Sequence, residues 1–124
     1  ILTAGEILGR ARFDDAVCRC NYPVDVHGRT LRTFELNGGD REPHYEIPLR
    51  CLIVRDAENL LVAGRNLGSE FIAQSSARII PTCRAMGEAA GLAAALSIRD
   101  QKPVREIGGK RVREEMSRMG ADEV

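Results

Sequence analysis

The feature that most narrows the fold is the run from Pro81 to about residue 99, where alanine dominates and Gly87 and Gly91 stand four apart. Proline suits the first turn of a helix, because its missing N–H would have no partner there anyway. The pattern predicts a helix over 81–99. A glycine costs ~1 kcal/mol in a helix interior, so two on one face point to a close neighbour. That neighbour is another backbone, a flat ligand, or ordinary tight packing. Ahead of this helix, Leu60, Leu61, Val62 and Ala63 form a continuous apolar run ending at Gly64. Such a run reads as a strand covered on both faces, and residues 65–80 read as a polar loop. The centre of the chain is therefore a strand–loop–helix unit.

Other elements are suggested more locally. Thr3 and Glu6 have the spacing of a capping box, and Ile7, Leu8, Ala11, Ala16 and Val17 extend the expected helix over about 4–18. Val24–His27 is a short β-prone stretch. Thr30–Leu36 reads as a strand and Asn37–Asp40 as a tight turn. Tyr45 to Val54 alternates with a period of two, the mark of a strand with one buried face, and Pro48 places it at an edge or a bulge. Asp56–Asn59 is a turn. Val112, Met116 and Met119 line a short C-terminal helix that Gly120 closes. The expected fold class is mixed α/β, a few-stranded sheet with one long small-residue helix.

Composition limits the function. With 124 residues, 18 basic against 18 acidic side chains and pI ≈ 6.9, nothing provides the electrostatic footprint of a nucleic-acid or membrane-surface protein. The longest apolar stretch, Ala89 to Leu96, falls far short of the ~20 residues of a spanning helix. No basic segment followed by an apolar one opens the chain, so no signal peptide is read. The four cysteines, Cys18, Cys20, Cys51 and Cys83, lack the paired spacing of a zinc site, and they read as reduced, mostly buried thiols of a cytoplasmic protein. A metal-dependent enzyme lacks the ligand spacing it would need.

Chemistry can gather at the start of the long helix. A helix N-terminus offers unpaired N–H groups and roughly half a positive charge, which suits phosphate, carboxylate or a polarised carbonyl oxygen. Arg65 and Arg78 bracket the loop and can add bidentate contacts. The same residues also allow an ordinary strand–loop–helix with solvated arginines.

Several segments carry a resemblance. ENLLVAGR at 58–65, A-x-x-S-x-R at 73–78 and PTC-x-x-x-G-x-A-A-G at 81–91 together resemble the C-terminal segment of FAD-dependent oxidoreductases of the two-dinucleotide-binding-domain class. The likeness is strongest to the bacterial family that includes xanthan-lyase-like proteins. RFDDAV at 12–17 and YPVDVH at 22–27 extend it over roughly residues 3 to 100. The resemblance implies that residues 1–44 belong to a cap or substrate region, 45–100 to the FAD-binding domain, and 101–124 to a helical extension. It implies FAD contacts at Gly64, Arg65 and Asn66, which would approach the ribityl chain and pyrophosphate. Backbone N–H groups near Thr82, Cys83 and Arg84 would face the flavin O2, and Gly87 would let the helix pack closely on a neighbouring sheet. Related fumarate-reductase-like flavoproteins hold substrate with an arginine in the preceding loop, which makes Arg78 a catalytic candidate. His27 is the second, with a structural turn residue as its competing reading. Cys83, at a helix N-terminus, reads either as packing beside the flavin or as a redox thiol.

The strand–GxGxxG–helix that holds the ADP half of FAD in such proteins does not occur in the 124 residues. The resemblance therefore implies a C-terminal piece of an FAD-dependent oxidoreductase, inactive and without retained FAD by itself, whose partner is the GxGxxG portion. In the whole protein it implies hydride transfer between flavin and a small organic substrate. The alternative is a non-catalytic interaction or self-association module of flavoprotein ancestry.

Overall fold

The computed structural model describes residues 1–26, 29–31 and 43–121, of which 29–31 are described by backbone alone. The expected turn at 37–40, most of the expected 30–36 strand, and His27 lie outside the described residues.

The chain opens with α1 (Ala4–Leu8). Its capping box forms as the spacing predicts: Glu6 N–H donates to Thr3 Oγ1 at 3.2 Å, and Thr3 N–H donates to Glu6 Oε2 at 2.7 Å. The helix stops after five residues, ten residues short of expectation. Gly9 caps it, Arg10 takes a left-handed φ of 54°, and Ala16–Cys20 becomes strand β1 instead. Val17 and Cys18 leave the helical pattern because a partner strand is available: β1 pairs antiparallel with β4 (Tyr45–Pro48). A bulge between Ala16 and Cys18 sits opposite Pro48, the irregularity that proline announced. β4 is shorter than its alternating pattern and is buried at all four residues, because Leu49–Cys51 turns into a 3₁₀ helix. A second two-stranded sheet pairs β2 (Val24–Val26) with β3 (Arg29–Leu31). The architecture is mixed α/β.

Leu60–Ala63 departs from its sequence reading. It makes one antiparallel bridge, Leu61 to Ile53, with Val62 N–H donating to Leu52 O at 2.8 Å. Leu60 is 50% exposed. A strand is covered on both faces only when other elements supply the cover, and the described residues do not. The expected loop after it contains a 3₁₀ turn, Gly64–Asn66, and a helix, α2 (Phe71–Ala77). Seven residues are too few for a stable isolated helix, and α2 is held by burial of Ala73, Ser75, Ser76 and Ala77.

The long helix α3 runs Ile80–Asp100 with Pro81 in its first turn. Thr82, Met86, Ala89, Ala93 and Leu96 are its buried residues, a 4-3-4-3 spacing that makes one narrow stripe facing β1. The glycines lie elsewhere. A Cβ added at Gly87 or Gly91 would meet nothing within 4 Å, so among the described residues neither glycine packs closely against anything. They share the exposed face of α3 with Ile80, 79% exposed, and Ile98, 80% exposed.

α4 (Gly109–Arg118) packs on α3 and β1 through Val112 and Met116. Met119, expected on the same stripe, is 69% exposed because the helix ends at Arg118 and Gly120 turns the chain with φ 89°. The close approach required of a glycine occurs at Gly109, where a Cβ would sit 2.1 Å from Asp15 O. No helix among the described residues is long and apolar enough to cross a membrane.

These two kinds of glycine separate in a stability measurement. Urea denaturation of Gly109→Ala is expected to show a loss of about 2 kcal/mol from overpacking. Gly87→Ala is expected to gain about 1 kcal/mol of helix propensity. Equal effects would contradict the packing described.

Candidate flavin-side site

The start of α3 is positioned by a buried polar chain beneath it. Ser76 Oγ donates to Tyr22 O, so the Tyr45 hydroxyl is the donor in its 2.8 Å contact with Ser76 Oγ. Thr82 Oγ1 donates to Cys20 Sγ at 3.3 Å. Cys20 Sγ also lies 3.9 Å from Ser76 Oγ, which joins β4, α2, β1 and α3 in one cluster, and the Thr82 side chain turns into the core rather than outward.

Above this cluster lies a cleft of about 510 Å³ lined by Arg65, Arg78, Ile80, Cys83 and Arg84. Arg65 comes from the Gly64–Asn66 turn, which Gln74 fixes by donating from Nε2 to Arg65 O at 3.0 Å. The turn needs Gly64: its φ is 69°, a conformation that side chains rarely adopt. A Cβ there would also touch Cys83 at 3.6 Å. Arg78 caps the end of α2 and donates from Nη2 to Asp25 O at 3.1 Å, which ties the loop to β2. Arg84 is the fifth residue of α3 and exposed. Cys83 N–H bonds Ile79 O at 2.9 Å. The donors left at this helix end are Ile79, Ile80 and Thr82, since Pro81 has none.

The structure thus brings Arg65, Arg78, Cys83 and Arg84 to one cleft, with Gly64 against Cys83, while Thr82 is buried and does not line it. It separates two others. Asn66 lines a different cavity of about 710 Å³ together with Ile1, Val62 and Arg55. Gly87 lies a turn further along the open face of α3. Ile80 is the lining residue that sequence reasoning missed, because the helix was read as starting at Pro81. An apolar residue directly before a first-turn proline was the available signal.

The thiols divide by environment. Cys18, Cys20 and Cys51 are buried and Cys83 is half-buried, and all four are free. Burial, reinforced by Cys20 and Cys83 nearby, pushes the Cys18 thiol up to about 12. Burial also raises Cys51 and Tyr45 above their ordinary values. Among the described residues no group of three or more His, Cys, Asp or Glu is placed to hold a metal ion.

The sequence profile of the FAD dependent oxidoreductase family matches residues 1–116. The chain belongs to that family. No curated protein and no solved structure matches it.

The raised thiol makes a prediction with a defined sign. Cys18 stays protonated in the fold up to about pH 12, whereas the unfolded chain releases that proton from pH 9. The unfolded state then binds fewer protons, so stability is complete below pH 9 and is lost as pH rises towards 12. Denaturation measured across this range should lose about 1 kcal/mol per pH unit from this group, and Cys18→Ala should flatten the slope. An unchanged slope would place Cys18 in water.

Proposed function

We propose that this chain forms the flavin-side half of the FAD site of an oxidoreductase, and that in the complete protein it serves hydride transfer between flavin and a small organic substrate. The observation that carries the reading is the cleft at the start of α3, where the family motifs around Gly64, Arg78 and Pro81 converge. Its donor set fits the cofactor. Reduced flavin concentrates negative charge at N1 and O2, and a preorganised helix end with cations beside it stabilises such charge. The Ile80 N–H would hold that edge, with Arg65 reaching the ribityl and phosphate side. FAD, when bound, supplies the hydride-accepting centre. The chain's own part is to orient the ring against Cys83 and to bind substrate through Arg78.

The open face of α3 supports the same reading. Two glycines and two exposed isoleucines on one helix face form a surface suited to close packing, and we assign it to the GxGxxG portion of the FAD fold. The alternative, a non-catalytic module that self-associates, draws on the same face and on exposed Leu60.

The two readings separate by FAD retention on gel filtration. The 124-residue chain alone should elute without flavin. Joined to a strand–GxGxxG–helix unit from its own gene, it should elute with one FAD per chain. Stoichiometric FAD on the isolated chain would sink the half-site reading, and no FAD on the joined protein would leave the interaction module.

A further inference from the structure

Three of the four thiols, far apart in sequence, meet at one peptide unit. Cys18 and Cys20 are alternate residues of β1, and both side chains are buried. They flank Thr82 of α3: Cys20 Sγ accepts from Thr82 Oγ1 at 3.3 Å, and Cys18 Sγ lies 3.9 Å from the Thr82 carbonyl oxygen. That carbonyl carbon is bonded to the nitrogen of Cys83. Cys83 is half-buried, lines the cleft, and rests its Sγ 4.0 Å from Ala77 O, on the side of Gly64. Cys51 stands apart and lines the other cavity. For packing alone a thiol does no more than another small apolar side chain. Their reactivities differ. Cys83 alone is open to a reagent. Cys20 is engaged by the Thr82 hydroxyl and lies beside Ser76. Cys18 keeps weak contacts to two carbonyl oxygens, at 3.5 and 3.9 Å, and is the thiol left to react.

We propose that Cys83 is an oxidation site that closes reversibly onto Cys18 as a disulfide, with hydrogen peroxide as the oxidant. The Cys83 thiolate attacks one peroxide oxygen. The O–O bond breaks, the sulfur gives up two electrons to become a sulfenic acid, and the other oxygen leaves as hydroxide. Cys18 sulfur then displaces the sulfenic hydroxyl: the S–S bond forms, the S–O bond breaks, and the Cys18 proton leaves with that oxygen as water. A reducing thiol reverses the closure by exchange. Closure turns Cys83 Sγ away from Gly64 towards β1, about the Cα–Cβ bond, and removes the open thiol from the cleft. Burial holds Cys18 in the thiol form, the weaker nucleophile, so closure is slower than the first oxidation and the sulfenic acid can be trapped.

The experiment treats the 124-residue chain with hydrogen peroxide and maps its cysteines by peptide mass spectrometry. Iodoacetamide alkylation of the untreated chain gives the starting reactivity of Cys83, and circular dichroism shows that the helices are kept. After peroxide, Cys83 alkylation should be lost, a Cys18–Cys83 cross-linked peptide should appear, and dithiothreitol should restore the alkylation. Dimedone added with the peroxide should label Cys83 and lower the yield of the cross-link. Cys83→Ser should abolish the cross-link. In Cys18→Ala the oxidised Cys83 should pass on to forms that dithiothreitol does not reverse. If Cys18→Ala does not fold, the map of the unsubstituted chain decides by itself. Cys83 that stays reduced, that is oxidised without a cross-link, or that pairs with Cys20 or with a second chain overturns the proposal. The site goes beyond the flavin reading and its readout needs no FAD, so its failure leaves the flavin-retention result standing, and the converse holds.

Discussion

The small side chains along one stripe of α3 set the geometry on which the rest depends. Thr82, Ala89 and Ala93 let a 21-residue helix lie close against β1, and that contact fixes where the helix begins. β1 is itself a strand because β4 pairs with it, and β4 carries Tyr45, whose hydroxyl reaches Ser76 on α2. One packed layer therefore positions both helices that border the cleft. Wider residues at 89 or 93 would push α3 off the strand and carry Cys83 and Arg84 away from Arg65 and Arg78.

The two faces of α3 divide the work. The buried stripe is filled and its polar atoms are partnered, as Thr82 with Cys20 shows. The opposite face is bare, with glycine where alanine would raise helix propensity. Those glycines cost the isolated chain helix stability, and the proposed function accounts for them by a cofactor-bearing domain packed on this face.

How much of this was legible in the sequence follows the range of the forces involved. The capping box at Thr3 and Glu6 and the proline in the first turn of α3 depend on neighbours a few residues away, and both were readable. The end of α1 was misread because apolar spacing through Ala16 and Val17 continued the helical pattern, while the strand partner that overrode it lies about thirty residues on. Leu60–Ala63 carried the composition of a doubly covered strand, but cover belongs to the elements around it. Helix α2 left no signal because it is short, uncapped by any side chain, and held by burial. At the site, the motifs brought out Arg65, Arg78 and Cys83, and the structure showed that they share one cleft. Their convergence is a three-dimensional property that no spacing encodes.

The central claim is that the start of α3 faces the flavin. The most direct test is the alkylation rate of Cys83 in the protein purified from its complete reading frame, with FAD bound and after its removal. The account predicts that bound FAD shields Cys83 and that stripping the cofactor restores the rate seen in the 124-residue chain. An equal rate with and without FAD would place the flavin elsewhere and contradict the account.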